Sequence, residues 1–234
     1  MVDRDGSARR QLTHTNNTAG APSTTTAGGM IVLTRWNPMS HISEIWATDT
    51  NGSNLRQITS GSSGKSTPEV SPDGRWITYL SAEAPWKMAL SGGEATKLEP
   101  SGGHSPVVSP DGRWIAFDVW DEREEKGKIE IVASDGEGTP RFLPFISERQ
   151  VPESTTITTF PIRWKAAGDA ITYVRTRNGV SNIWAQPIDG SPARQLTSFS
   201  SMLIWSHAWS RDGKYLALAR GNFSRDAVML TDLR

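Results

Sequence analysis

The fold is decided by a stretch that reads Ser-Pro-Asp-Gly-Arg-Trp-Ile-Ala-Phe at residues 109–117. It returns as Ser-Pro-Asp-Gly-Arg-Trp-Ile-Thr-Tyr at 71–79 and as Ser-Arg-Asp-Gly-Lys-Tyr-Leu-Ala-Leu at 210–218. A tight turn followed by an aromatic and β-branched run predicts a β-hairpin. Three copies in one chain predict a repeat architecture.

The Pro-Asp-Gly segment has the chemistry of a turn. Proline presets φ for the first central position, aspartate can bond its own nearby backbone, and glycine adopts a positive φ without a Cβ clash. We therefore interpret the aspartates of the three copies as structural and not as catalytic or metal-binding groups.

A second repeated element complements the first. Residues 45–59 read as a strand, an Asn-Gly turn and a strand that ends in Arg-Gln-Ile-Thr, and residues 183–197 repeat the pattern and end in Arg-Gln-Leu-Thr. Such turns are strong hairpin signals. Each repeat therefore contains four predicted strands.

Alignment of the repeats defines one reference residue in each, which we call the turn position: Ala27, Asp73, Asp111, Ala167 and Asp212. The steps of 46, 38, 56 and 45 residues suit four-stranded propeller blades. We expect an all-β chain with a single domain over 1–234, a β-propeller of five blades. Their approximate bounds are 27–60, 66–99, 104–144, 160–197 and 205–234.

Closure of the ring is expected through the termini. Residues 1–13 hold a spare fourth strand, and the last repeat lacks one, so 9–13 would pair with 227–232. Closure would remove exposed sheet edges, which favour aggregation. A closed ring predicts a monomer, and an open one predicts a homo-oligomer. Residues 14–28 and 145–159 are expected to be long loops, and 121–126 a charged hairpin loop.

Composition excludes several classes of protein. The 234 residues carry 25 Lys plus Arg and 25 Asp plus Glu, so bulk charge indicates neither a nucleic-acid partner nor an anionic membrane. There is no cysteine, hence no disulfide or thiolate metal site. No run of 18 apolar residues predicts membrane insertion, and the first residues lack the apolar core of a signal peptide.

No catalytic, metal or cofactor motif stands out. The nucleophile motif G-x-S-x-G is absent, and the Gly-Lys-Ser at 64–66 lacks the rest of a phosphate loop. The four histidines, His14, His41, His104 and His207, form no H-x-x-x-H pair. We expect no enzyme, no metal and no cofactor.

Candidate binding residues lie on the face of the predicted propeller that carries the variable loops. Loops after the second strand and between blades share one face, and loops on a rigid scaffold commonly carry function. Arginine and tryptophan are enriched in binding hot spots. The candidates are Arg35, Trp36, Trp86, Trp120, Arg123, Arg175, Arg177, Trp205 and Arg220. The alternative is that they cap blades and pack between them.

The stretches at 71–79, 109–117, 210–218 and 183–197 resemble the TolB-like propeller repeats of bacteria, and the likeness covers nearly the whole chain. The ending at 216–221 and 226–234 also resembles propellers fused to bacterial serine/threonine kinases and winged-helix regulators. The first resemblance implies a periplasmic or extracytoplasmic location. Because the family commonly has six or more blades and this chain starts in mid-blade, we expect a fragment of a longer protein.

Three functions remain open at this level. The first is a non-catalytic binding or scaffold module, the sensory or interaction part of a larger bacterial protein, which recognises a protein, a peptide or a small ligand at the channel mouth. The second is a peptidase propeller or a lyase- or hydrolase-type propeller enzyme. The third is a structural propeller that assembles from a repeat fragment.

Overall fold

The computed structural model describes residues 11–13, 19–24, 29–82, 84–98, 103–121, 123, 126–144 and 162–222. These residues form eighteen strands in five antiparallel sheets. The described residues contain no helix, and so none that could span a membrane. The prediction of an all-β chain is confirmed for this part of the protein.

The first four sheets each contain four strands in the order of the chain. The first holds β1 (Ala19–Thr24), β2 (Met30–Asn37), β3 (Ile42–Asp49) and β4 (Arg56–Gln57). The second holds β5 (Lys65–Val70), β6 (Trp76–Ser81), β7 (Ala84–Ala89) and β8 (Ala95–Lys97). The third holds β9 (His104–Val108), β10 (Trp114–Asp121), β11 (Lys126–Ala133) and β12 (Arg141–Pro144). The fourth holds β13 (Arg163–Trp164), β14 (Ala170–Arg177), β15 (Val180–Pro187) and β16 (Arg194–Gln195).

The fifth sheet has two described strands, β17 (Leu203–Trp209) and β18 (Leu216–Gly221). Successive sheets pack against each other: β5 contacts β1, β2 and β3, β9 contacts β5, β6 and β7, and β17 contacts β13 and β15. Four-stranded sheets packed in succession form the propeller arrangement, which is established for four blades. The expected pairing of 9–13 with 227–232 involves residues largely outside the described part.

One strand lies where the sequence predicted a loop. The stretch 14–28 was expected to be irregular, yet β1 occupies Ala19–Thr24 and pairs with β2, with Ser23 opposite Val32. Five of the six residues of β1 are exposed, so the strand shows no alternating apolar pattern. Pairing with the buried β2 holds it in place. The strands β10 and β11 form a hairpin that is paired up to Asp121 and Lys126, and most of the predicted charged loop between them lies outside the described residues.

The apolar core lies between neighbouring sheets. Between the first and second sheets it contains Val32, Ile45, Ile77, Tyr79 and Met88, all less than 10% exposed. A second cluster joins the third and fourth sheets and contains Val107, Ala116, Ile129, Ile131, Leu143, Ile162, Trp164, Ile171 and Tyr173. Each large side chain buried in this way contributes about 1.5–3 kcal/mol.

The Ser-Pro-Asp-Gly turns are closed by side-chain hydrogen bonds. Ser109 Oγ donates to Asp111 Oδ1 at 2.6 Å and accepts the Trp114 N–H at 2.9 Å. Asp111 Oδ1 also accepts the Arg113 N–H at 3.1 Å. The turns at 71–76 and 210–215 repeat this set. The aspartates therefore hold the turn together, as the sequence predicted.

Successive turns also touch one another. Gly213 has a φ of +69°, and a Cβ at this position would lie 3.1 Å from Ala166 Cβ in the preceding turn. Gly112 has a φ of +73°, and a Cβ at this position would lie 3.6 Å from Pro72 Cδ in the preceding turn. Glycine accommodates the positive φ at both positions, and at Gly213 it also allows the close approach to Ala166. The contacts align the turns of adjacent sheets along one face of the propeller.

Candidate functional site

Three of the predicted binding residues occupy the same place in their repeats. Arg35, Arg175 and Arg220 each lie eight residues after the turn position, on the second strand of their sheets. Their guanidinium carbons lie over aromatic rings: Arg35 at 4.2 Å from the Trp46 centroid, Arg175 at 5.0 Å from Trp184 and Arg220 at 3.4 Å from Phe199. A cation placed over an aromatic ring in this way is attracted to the ring, which stabilises the packing of the two side chains.

These three arginines are therefore engaged within the propeller itself. Arg35 is buried at 7% exposure, and Arg220 Nη2 also donates to the Ser201 carbonyl at 2.8 Å. The structure gives them packing contacts, which was the alternative to ligand contact in the sequence analysis. A role of theirs in binding stays a prediction.

Trp36 is the most exposed of the predicted tryptophans whose side chains are described. It is 39% exposed at the end of β2 and packs edge-on against His41, with the ring centroids 5.9 Å apart. Asn37 orders the adjoining turn, since its Oδ1 accepts the Met39 N–H at 2.9 Å and its carbonyl accepts the His41 N–H. Met39 is 90% exposed at the tip of this turn. Trp36 and Met39 thus form a rigid apolar tip on the face of the variable loops.

The remaining candidates are dispersed. Trp86 packs against the core between the first two sheets and donates its indole N–H to the Ser81 carbonyl at 3.3 Å. Trp205 is half-buried on β17, and Arg123 and Arg177 are exposed in hairpin loops or at their edges. The side chain of Trp120 lies outside the described part. The structure does not bring the nine residues together into one site.

Two shallow pockets occur on opposite faces of the propeller. The first, of about 230 Å³, is lined by residues that include Arg35, Glu44, Trp46 and Gln57. The second, of about 360 Å³, lies between the turn at 109–113 and the following turn at 166–168. The first pocket is next to the apolar tip of Trp36 and Met39.

Glu44, which lines the first pocket, is part of a buried ion pair. Lys65 Nζ lies 3.4 Å from Glu44 Oε1, and both side chains are about nine-tenths buried. Thr59 Oγ1 donates to Glu44 Oε2 and accepts the Ile45 N–H. The equivalent threonine of the fourth sheet, Thr197, donates to Asn182 and accepts the Ile183 N–H in the same way. Glu44 thus has the place that Asn182 has in the fourth sheet, in a set of hydrogen bonds that recurs beside the third strand. At Glu44 the ammonium group of Lys65, on β5 of the second sheet, adds an ion pair.

A second polar group lies where the inner strands of several sheets converge. Ser23 Oγ on β1 donates to Glu69 Oε2 on β5 at 3.3 Å. Burial raises the pKa of Glu69, against the lowering effects of the Arg163 charge on β13 and of the Ser23 hydrogen bond. The second and fourth sheets are not neighbours, so their inner strands can interact only near the propeller axis. We call Ser23, Glu69 and Arg163 the axial cluster.

The axial cluster was missed in the sequence analysis, which searched the variable loops. A sequence signal existed, because all three residues lie four positions before the turn position of their repeats. Their place near the end of the inner strands puts them closer to the turn face than to the loop face. Glu69 and Arg163 are half-buried.

His207 on β17 lies near Arg163, because its imidazole contacts Thr172, the residue that pairs with Arg163. It is 3% exposed, and its Nε2 lies 2.9 Å from Thr172 Oγ1, which also accepts the Trp209 indole N–H at 3.0 Å. Burial, with the Arg163 charge, lowers the pKa of His207 to about 4. The imidazole is therefore neutral at pH 7 and acts as a packing and hydrogen-bonding group between the fourth and fifth sheets.

Asp118 on β10 is a buried carboxyl group. It is 8% exposed, and its Oδ1 has no hydrogen-bond partner. Burial raises the pKa of Asp118 to about 7. The carboxyl group is thus half-protonated near neutral pH, and it could exchange a proton there.

The described residues contain no group of three or more His, Asp and Glu side chains that could hold a metal ion. Asp49, which begins a stretch faintly like a calcium loop, instead accepts hydrogen bonds from Ser53 Oγ and Asn54 Nδ2 within its own turn. Near the axis the charge of Arg163 acts on both Glu69 and His207, and Glu69 is the single carboxylate among these three residues.

The architecture places the described chain in the class of TolB-like β-propeller folds. TolB from Acinetobacter baumannii superposes with a TM-score of 0.68 at 18% identity, over 94% of this chain and 58% of that one. A putative TolB from Agrobacterium tumefaciens gives a TM-score of 0.55 at 18% identity, over 92% of this chain and 94% of that one. The chain thus spans well under two thirds of the A. baumannii TolB structure.

A protease domain shares the architecture. The β-propeller domain of the Trilobed protease from Pyrococcus furiosus, described as having an open velcro topology, gives a TM-score of 0.53 at 16% identity, over 88% of this chain and 78% of that one. No family model matches the sequence, and no curated protein matches it. At these identities the likeness establishes the fold alone. The likeness to kinase-linked and winged-helix-linked propellers has no support from these comparisons.

Proposed function

We propose that the protein is a non-catalytic binding module, which recognises a protein, peptide or small ligand on the face of its variable loops and acts as part of a larger bacterial protein. The proposal rests on the contrast between its two faces. On the turn face the connections between the first two strands have five or six residues, at 71–75, 109–113, 165–169 and 210–215. On the loop face the fully described connections differ more, from two residues at 178–179 to seven at 58–64 and at 196–202. Variable loops on a uniform scaffold are typical of binding surfaces.

The apolar tip supports this choice of face. Trp36 and Met39 are exposed although the turn that carries them is ordered by Asn37. A fixed, exposed tryptophan can bury a large apolar area on a partner with little loss of side-chain entropy. The pocket lined by Glu44 and Gln57 lies beside it.

The proposal includes a five-bladed ring that the N-terminal segment closes. Gln11 Nε2 donates to the Thr13 carbonyl at 2.7 Å, as Gln57 does to Thr59 and Gln195 to Thr197, each at 2.6 Å. The same hydrogen bond, from a glutamine side chain to the carbonyl two residues further on, follows β4 and β16. Residues 11–13 therefore have the conformation of a fourth-strand end.

The position of this segment supports closure as well. A Cβ on Gly52 would lie 2.5 Å from the Leu12 carbonyl oxygen, so the segment lies against the β3–β4 turn of the first sheet. Fourth strands elsewhere contact the equivalent turn of the next sheet: Arg56 donates to the Leu90 carbonyl, and Arg141 to the Ile188 carbonyl. This contact supports the assignment of the segment as the fourth strand of a blade that precedes the first sheet.

The proposed function can be tested by selection of binding peptides from a random displayed library. Selected peptides would be measured against a loop-face variant, Trp36→Ala with Met39→Ala, and a turn-face variant, Tyr215→Ala with Arg113→Ala. Tyr215 is 61% exposed and is a matched aromatic control. We expect at least a tenfold loss of affinity for the loop-face variant only. Equal losses in both, or a loss confined to the turn-face variant, would contradict the proposal.

A further inference from the structure

Five inner-strand residues occupy one level of the propeller. Each lies four positions before the turn position of its repeat. Each pairs with the second-strand residue that lies five positions after the turn position, as Glu69 does with Thr78 and Arg163 with Thr172. The five are Ser23, Glu69, Val107, Arg163 and Ala208. This level therefore contains one carboxylate, one guanidinium and one hydroxyl, and its other two side chains are apolar.

The carboxylate is fixed from one side. Ser23 Oγ donates to Glu69 Oε2 at 3.3 Å and accepts the Val70 N–H at 3.3 Å. This bridge between β1 and β5 leaves the other carboxylate oxygen, Oε1, without a hydrogen bond in the described part of the chain. The carboxylate can accept or share a further hydrogen bond there.

The guanidinium has unused donors. Arg163 Nη1 donates to the Ile162 carbonyl at 2.8 Å, which is its one hydrogen bond among the described residues. A guanidinium has five N–H donors in a planar fork. Glu69 and Arg163, both described, make no direct ion pair within 4.0 Å, although the charge of Arg163 acts on Glu69. Opposite charges thus approach each other at the axis without neutralising each other by contact.

Backbone strain lies next to Glu69. Thr67 has a φ of +47°, which is rare for a β-branched residue, and the register of β5 shifts between Ser66 and Glu69. The Thr67 hydroxyl is buried and has no partner among the described residues. The inner strand β1 repeats this bulge, since Ala21 has a φ of +45° and the register shifts between Gly20 and Ser23. The bulge therefore lies next to both members of the Ser23–Glu69 bridge.

We propose that Glu69 and Arg163 bind a small zwitterion, a free α-amino acid or the paired termini of a short peptide, between them. The carboxylate of the ligand would accept two hydrogen bonds from the Arg163 fork, and its ammonium group would donate to Glu69. The proposal deepens the proposed binding function, on which it rests, by naming a ligand class and a second place in the molecule.

Charge complementarity selects the zwitterion. A simple anion would satisfy Arg163 but would approach the Glu69 carboxylate, and a simple cation would do the reverse. A ligand that has both charges satisfies both groups without leaving an unpaired charge at the axis. A free amino acid and a short peptide share this chemistry and differ in the distance between the charges.

Calorimetric titration of the wild-type chain tests the proposal with four probes. Glycine and triglycine carry both charges, whereas N-acetylglycine carries only the negative one and glycinamide only the positive one. We expect saturable binding of glycine or triglycine, and at least tenfold weaker binding of both single-charge probes. The stronger of the first two probes identifies a free amino acid or a peptide as the source. No saturable binding of either, or equal binding of a single-charge probe, would overturn the proposal.

Variants then locate the site. Arg163→Gln and Glu69→Gln are each expected to weaken binding of the zwitterion at least tenfold. Exposed residues provide the matched controls Arg194→Gln, on β16 of the same sheet as Arg163, and Glu94→Gln. Unchanged affinity in Arg163→Gln would refute the site. If that variant does not fold, Arg163→Lys, which keeps the charge but loses the fork, should weaken binding as well. Because Trp36 and Met39 are not involved, peptide selection and this titration can fail independently.

Discussion

At the scale of single residues, buried titratable groups distinguish repeats that are otherwise alike. His207 and Asp118 have no ionisable equivalents at the same places in the other repeats: the positions equivalent to Asp118 hold Thr34, Leu80, Val174 and Ala219. Both side chains are more than nine-tenths buried, and burial shifts their pKa values in opposite directions. Each group should therefore leave its own signature in the pH dependence of stability.

His207 is expected to make the protein less stable as the pH falls from about 6.5 to about 4. The unfolded chain takes up the proton near pH 6.5, whereas burial lowers the pKa in the folded protein to about 4. Acid therefore favours unfolding across this window, by up to roughly 3 kcal/mol. Urea denaturation at pH 4.5 and 7 should show a smaller difference in His207→Gln than in the wild type. The exposed His41→Gln is the control and should keep the wild-type difference.

Asp118 is expected to have the opposite effect. Its pKa is raised to about 7 in the folded protein from an ordinary value of 3.8, so the folded state binds the extra proton between these values. Its contribution to stability therefore falls as the pH rises from about 4 to 7, by roughly 4 kcal/mol in the limit. Asp118→Asn and Asp118→Leu, the residue of the second repeat, should both be more stable than the wild type at pH 8. A loss of stability at pH 8 in both variants would contradict this interpretation.

At the scale of elements, the Ser-Pro-Asp-Gly turn is a hydrogen-bonded unit whose parts depend on one another. The serine hydroxyl donates to the aspartate and accepts the N–H of the residue that starts the next strand, as Ser109 does with Asp111 and Trp114. In the fourth sheet Lys165 replaces the serine, and the turn is closed by backbone hydrogen bonds, including one from the Gly168 N–H to the Lys165 carbonyl. The side chains therefore add stability to a turn that the backbone alone can form.

Ser109→Ala should destabilise the protein by about 1–2 kcal/mol. The change removes the hydroxyl oxygen that accepts the Trp114 N–H. Because Ser109 is only 1% exposed, water cannot readily replace this acceptor. Chemical denaturation measures the effect directly. Ser62→Ala, at an exposed serine in the loop between the first two sheets, should stay within about 0.5 kcal/mol of the wild type. A cost for Ser109→Ala no larger than that of Ser62→Ala would show that the side-chain bonds of the turn contribute nothing.

At the scale of the whole molecule, the question is how the two ends of the sheet array meet. Propeller sheets expose edges unless the last sheet is completed and packed against the first. Residues 11–13 lie against the β3–β4 turn of the first sheet, where the fourth strand of a preceding blade is expected. In the proposed ring, that blade is the fifth sheet.

Substitution of two glycines at equivalent places in the β3–β4 and β15–β16 turns distinguishes an effect on ring closure from an effect of local backbone strain. Gly52 and Gly190 have φ values of +89° and +85°, so alanine is strained at both. Only at Gly52 would the new Cβ meet another segment, 2.5 Å from the Leu12 carbonyl oxygen, whereas Gly190 has open space. Gly52→Ala should therefore lower the melting temperature more than Gly190→Ala and increase self-association, as seen by light scattering. Deletion of residues 1–13 without change in either property would refute closure by the N-terminal segment.

The sequence by itself determined the repeat, the four-stranded unit and the structural role of the aspartates in the turns. These features depend on local chemistry, since a Pro-Asp-Gly turn and an alternating apolar run act within a few residues. It did not reveal β1, because a strand of exposed residues held by pairing with β2 has no apolar pattern of its own. Only the tertiary structure showed that Arg35, Arg175 and Arg220 stack on aromatic rings. It alone brought Ser23, Glu69 and Arg163 together, because residues from three repeats meet only where the sheets converge on a common axis.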